Sequence, residues 1–180
     1  MFFTVEKLEA RTRQLEAFRY RDMVSLDTMS AMEGHLDKDD VYKTPPEEIR
    51  GFEIHIGDEF IGRDRYLWMQ KAVRFPQAKA DCQVAGVFDF GITGEGHNSG
   101  FESLLYVNGE RYQGVDSNHN DVIFDSLAGQ KAELTFLLWT GLEGGGPKKE
   151  QFHRIRRADI GYLHLPTDEF YYYSKAIYKT

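Results

Sequence analysis

A chain of 180 residues, 41% hydrophobic and 28% charged, can bury a core without disulfides or metals and is too apolar to stay disordered. Its 22 Lys and Arg against 29 Asp and Glu leave a net charge of −7, which repels a phosphate backbone and argues against nucleic acid as a partner. The single cysteine, Cys82, excludes an internal disulfide framework and fits a reducing, cytoplasmic setting.

Residues 4–21 read as a helix. Thr4 can serve as its N-cap, although Lys7 stands where a capping box would carry Glu. Val5, Leu8, Thr12, Leu15 and Phe18 recur at helical spacing and form one apolar stripe, which has to dock on something. The first eight residues lack the basic and apolar regions of a signal peptide. Residues 22–50 show no clear period, and Pro45-Pro46 stops any helix. They are read as an irregular connection wrapped over the body.

From Gly51 the texture changes. Phe52, Ile54 and Ile56 alternate with polar residues. Residues 66–75 form a long strand candidate closed by Pro76, and 83–90 form another. Residues 102–107 run into Asn108-Gly109, a strong hairpin signal, with 111–114 as the return strand. Residues 122–124, 132–139 and 156–165 complete the set. Short strands separated by Gly and Asn turns, without βαβ alternation, predict a mainly β protein. The expected form is an antiparallel β-sandwich or jelly roll with an N-terminal helix and a short C-terminal helix. The strongly apolar run 134–139 is too short to cross a membrane. In the tail, Phe170, Tyr173 and Ile177 fall at helical spacing, and the helix runs to residue 180 without a cap. The expected organisation is a helix and connection over 1–50, a sandwich over 51–166, and over 167–180 the start of a helix leading to a further domain.

Several stretches imitate ligand motifs and fail on spacing. Gly141 to Gly146 has phosphate-loop spacing, but Pro147 replaces the required Lys and removes an amide. Gly94 to Gly100 sits between strands and opens no helix, so it is no dinucleotide fingerprint. The run from Asp116 begins like a calcium loop, with Asp121 where Gly is needed and Leu127 where a bidentate Glu is needed. His35-Leu36-Asp37 has no third ligand at a useful spacing, and no pair among the six histidines shows zinc-site spacing. The 29 acids make any glycosidase carboxylate pair arbitrary, and there is no nucleophile elbow. Cys82, at the start of a strand, is expected as a buried thiol.

One stretch remains. Asp116, Asn118 and His119 are dense in hydrogen-bonding groups, and Glu102 and Gln113 lie nearby in sequence. Carboxylates, amides and His above an aromatic face are the groups that hold sugars. Glu102, Gln113, Asp116, Asn118 and His119 are therefore the candidate substrate-proximal residues. The competing reading is a turn whose Asp and Asn side chains satisfy their own backbone.

Several segments together resemble a known family. They are residues 68–76, ending Val73-Arg74-Phe75-Pro76; residues 102–119; residues 144–152; and residues 157–162. The leading helix, ending Leu15-Glu16-Ala17-Phe18, fits as well. The chain resembles, over nearly its whole length, the N-terminal region of glycoside hydrolase family 38 α-mannosidases of the cytosolic and vacuolar branch, which includes bacterial members. The resemblance implies a galactose-binding-like β-sandwich placed ahead of a zinc-dependent retaining catalytic domain. It implies no cofactor in this chain, with zinc in the catalytic domain, and no hydrolysis by this chain alone. His35-Leu36-Asp37 lacks the preceding His and the following Trp of that family's zinc segment, so zinc ligation is not carried onto it. The implied partners are the catalytic domain of the same polypeptide, further copies of the chain and mannosides, with neither nucleic acid nor membrane. The alternatives are a free-standing carbohydrate-binding module and a self-association module without a ligand.

Overall fold

The computed structural model describes residues 4–34, 45–91, 101–141 and 152–179. Two antiparallel sheets form the body. The smaller joins β1 (Tyr20–Ser25), β12 (Arg157–His164), β6 (Cys82–Asp89) and β9 (Asp121–Ile123), in that order. The larger runs β3 (Phe52–His55), β2 (Thr28–Gly34), β5 (Tyr66–Arg74), β10 (Lys131–Trp139), β7 (Glu102–Val107) and β8 (Glu110–Asp116). A two-stranded ribbon pairs β4 (Glu59–Ile61) with β11 (Phe152–Arg154). Helices α1 (Thr4–Arg19) and α2 (Leu165–Lys179) pack on each other and touch β12.

The core lies between the two sheets. Val84, Phe88, Val122 and Ile160 of the smaller sheet meet Met69, Leu105, Leu134 and Phe136 of the larger. The rings of Phe88 and Phe136 are 4.7 Å apart, and those of Phe75 and Phe124 are 4.8 Å apart. Each fully buried side chain of this size contributes roughly 1.5–3 kcal/mol. Strand β10 explains the apolar run read from the sequence. Leu134, Phe136 and Leu138 enter this core, while Leu137 belongs to a second cluster with Ile49, Tyr66, Trp68 and Tyr106. Successive residues of a strand point to opposite faces, so the second cluster covers the outer face of the larger sheet. A central strand buried on both faces loses its polar alternation.

The antiparallel sandwich with a helix near each end is the fold expected from the pattern. Residues 20–34 differ from the expectation of an irregular connection: they supply β1 and β2, one strand to each sheet. The sandwich therefore begins at Tyr20 rather than at residue 51. The period of β1 is broken by a bulge, with Asp22 at φ +51° and a register shift between Arg21 and Val24. Strand β2 buries only Met29 and Ala31, which carry little strand signal. Helix α2 starts at Leu165, with Pro166 in its first turn, where a missing amide costs nothing. Cys82 is half-buried rather than buried. His35-Leu36-Asp37 and the glycine-rich stretches 94–100 and 142–149 lie outside the described residues.

Candidate functional site

Cross-strand register assembles a row on the outer face of the larger sheet. Tyr66 of β5 lies opposite Trp139 of β10, Trp139 opposite Glu102 of β7, and Glu102 opposite Asp116 of β8. Residues directly opposite one another point to the same face. The row crosses three strand spacings, about 14 Å. Its aromatic half is ordered. The rings of Tyr66 and Trp139 stack at 6.3 Å with 16° between their planes. Trp139 donates from Nε1 to Asp64 Oδ1 at 3.0 Å, which fixes the indole while leaving it half-buried. The acidic half is accessible: Glu102 is exposed, and the Asp116 side chain is 36% exposed.

The five sequence candidates divide by face. Glu102 and Asp116 share the row. Asn118 and His119 are tied to Asp116: its Oδ1 accepts from Asn118 N at 2.7 Å and His119 N at 2.9 Å. The His119 ring lies 3.2 Å from Asp116 Oδ2. This is the self-satisfied turn that the composition of the loop also allows. Burial works against charge on Asp116, but the Asn118 amide and the ring and amide of His119 hold its carboxyl below the usual range. Gln113 lies opposite Leu105, a core residue, and so has the opposite parity from the row. Its Nε2 donates to Asp121 O at 3.2 Å, linking the edge strands β8 and β9. Tyr66, Asp64 and Trp139 were not among the sequence candidates. The aromatic residues are visible in the sequence, but only register shows that they stand beside Glu102.

The described residues do not fit a zinc centre. His55 pairs with Asp58, His119 with Asp116 and His164 with Thr167, while His153 is buried against the Thr140 carbonyl. Among the described residues no three His, Cys, Asp or Glu side chains converge to hold a metal.

Neither a family model nor a curated protein matches the chain. Solved structures match it in fold. A β-glucuronidase from Faecalibacterium prausnitzii superposes with a TM-score of 0.51 at 13% identity, covering 81% of this chain and 32% of that one. A β-glucuronidase from Ruminococcus gnavus in complex with uronic deoxynojirimycin gives 0.54 at 12% identity, covering 81% and 29%. The R. gnavus β-glucuronidase in complex with D-glucaro-d-lactam gives 0.53 at 13% identity, covering 81% and 30%. The chain spans about a third of the length of these enzymes. In fold, the chain is similar to a β-rich domain of glycoside hydrolases.

Proposed function

We propose that this chain is a non-catalytic accessory β-sandwich of a glycoside hydrolase and that the row from Tyr66 to Asp116 faces carbohydrate. The observation that carries the reading is the row itself. The half-buried Trp139, backed by the buried Tyr66 ring, offers an apolar face beside two accessible carboxylates that can accept from sugar hydroxyls. The likeness in fold to much longer glycosidases supports a place within a larger enzyme. The segments that resemble family 38 α-mannosidases narrow the sugar to α-mannosides. In this reading hydrolysis belongs to a zinc-dependent retaining catalytic domain of the same cytoplasmic polypeptide, and the sandwich supports its packing, assembly and substrate access. Exposed apolar residues on α2, Phe170, Tyr173 and Ile177, supply surface for such packing. A free-standing mannoside-binding module is the second reading, and the same row favours it.

The test is titration with an α-mannoside, followed by tryptophan fluorescence. Trp68 is buried, so a response reports on Trp139. Glu102→Gln keeps the shape and removes the charge. Gln still accepts a hydrogen bond, and one to a charged group is worth about 1 kcal/mol more than one to a neutral group, so affinity should fall about fivefold. The melting temperature should not move, because the side chain is exposed. Unchanged affinity in this variant would remove the row from the carbohydrate path.

A further inference from the structure

The fold itself does not require the glycine at Gly114. It lies within β8, paired one-to-one with Leu104 of β7, and the register shift of this strand pair falls beyond Gln113. Its backbone stays out of the left-handed region, where glycine would be needed. A Cβ added there would meet nothing within 4 Å, so no neighbour packs against the spot. Gly86 and Gly161, also in strands, differ: a Cβ would come within 2.7 Å of the Phe88 ring at the first and 2.6 Å of the Met23 sulfur at the second. A glycine inside a strand weakens it. Where neither backbone nor packing calls for one, it leaves room for something that approaches from outside.

That room opens onto the row. Gly114 lies two residues along β8 from Asp116, and Leu104 two residues along β7 from Glu102, so all four stand on the outer face. Neighbouring strands are about 4.8 Å apart and alternate residues of one strand about 6.8 Å, so the four positions outline a bay the size of one pyranose ring. The carboxylates of Glu102 and Asp116 edge it on one side. Its floor is the half-buried Leu104 side chain and the exposed, bare backbone of Gly114. Trp139 and Leu137 of β10 flank it, opposite Glu102 and Leu104. On the other face of the pair, Ser103 Oγ donates to the Val115 carbonyl at 2.8 Å and holds the floor in register. A pyranose has a C–H face that suits Leu104 and bare backbone, and a rim of hydroxyls that carboxylates accept from. A carboxylated sugar is repelled by the same two groups.

We infer that Gly114 is a specificity-determining residue of this surface: its missing side chain keeps open a bay that seats one uncharged pyranose ring over Leu104, against the carboxylates of Glu102 and Asp116. The inference rests on the carbohydrate reading of the row. Calorimetric titration of the protein, of Gly114→Ala and of Gly114→Val with methyl α-mannoside, together with the melting temperature of each, tests it. Val suits a strand and would point into open space, so the melting temperature should stay or rise. Its branched side chain would take the place of the ring, so affinity should fall about tenfold or more. Gly114→Ala should lie between Gly114→Val and the unaltered protein, and methyl glucuronide should give no heat. Unaltered mannoside affinity in Gly114→Val would overturn the bay and leave the row standing. A loss of affinity that comes with a lower melting temperature would assign Gly114 to the fold instead. Glucuronide binding as tight as the mannoside would overturn the selection by charge. No mannoside binding by the unaltered protein would end the reading of the row, and the bay with it.

Discussion

Arg19 shows how one residue holds three elements together. It ends α1 almost completely buried, and its guanidinium lies about 5 Å from the rings of Tyr20, Tyr171 and Tyr172. Nε donates to Asp168 Oδ1 at 2.6 Å, and the nearer oxygen of Asp121 is 3.9 Å away. Burial opposes its charge, but the bond to Asp168 and the neighbouring Tyr20 outweigh that cost and raise its pKa. The same burial, followed by the Asp121 carboxylate, pushes the Tyr20 phenol up. Tyr20 donates to Asp121 Oδ2 at 3.0 Å, so it stays protonated where it is needed as a donor. Removing one member of a buried pair leaves the other charge uncompensated, at about 3 kcal/mol. Arg19→Met should therefore lower the urea-unfolding free energy by about 3 kcal/mol, and Asp168→Leu added to it should recover most of the loss. A loss below the error of the measurement would show that the cage does not hold the helices. The stripe read from the sequence placed Phe18 inward, but Phe18 is 63% exposed and Arg19 turns in instead. Aromatic and carboxylate partners far along the chain make an arginine the buried residue, and helical spacing alone cannot show them.

At the scale of elements, long strands were legible and short or bulged ones were not. Strands β5, β6, β7 and β10 stand within a residue or two of their expected ends, because β-branched and aromatic residues run between Gly, Asn and Pro stops. Strands β4 and β11 have three residues each, which is too few to show a period. Strand β1 was hidden by its bulge, and that bulge is matched by a glycine on its partner. A Cβ added at Gly161 would lie 2.8 Å from the carbonyl oxygens of Arg21 and Asp22 and 2.6 Å from the Met23 sulfur. The bulged strand thus sits closer to β12 than any side chain there would permit. Gly161→Ala should push β1 away and cost about 1–3 kcal/mol in urea unfolding. A neutral result would mean that β1 can move without loss. Helix α2 reverses the sense of its sequence stripe. Phe170, Tyr173 and Ile177 are exposed, while Tyr171 and Ser174 are buried against the domain. The hydroxyl of Tyr171 bonds Glu16 and Lys175, so polar groups with specific partners take the inner side. Spacing identified the helix, and partners decided which side faces in.

At the scale of the molecule, the two sheets enclose the core, the aromatic outer face lies on the larger sheet, and the paired helices run on from β1 and β12 of the smaller. The candidate site at that outer face was half legible. Asp116 and Glu102 stood out by composition, yet their neighbours come from β5 and β10, which only pairing brings alongside. Gln113 looked equivalent by proximity in sequence, but strand parity sends it to the other face. No helix among the described residues is long and apolar enough to cross a membrane. The central proposal is that the outer face of the larger sheet receives an α-mannoside. Amide and indole shifts in a two-dimensional ¹⁵N NMR titration with mannotriose test it most directly. The account predicts shifts at the Trp139 indole and the amides of Glu102 and Asp116, with Trp68 and the helix residues unmoved. Shifts confined to the helices, or none at saturating sugar, would contradict it.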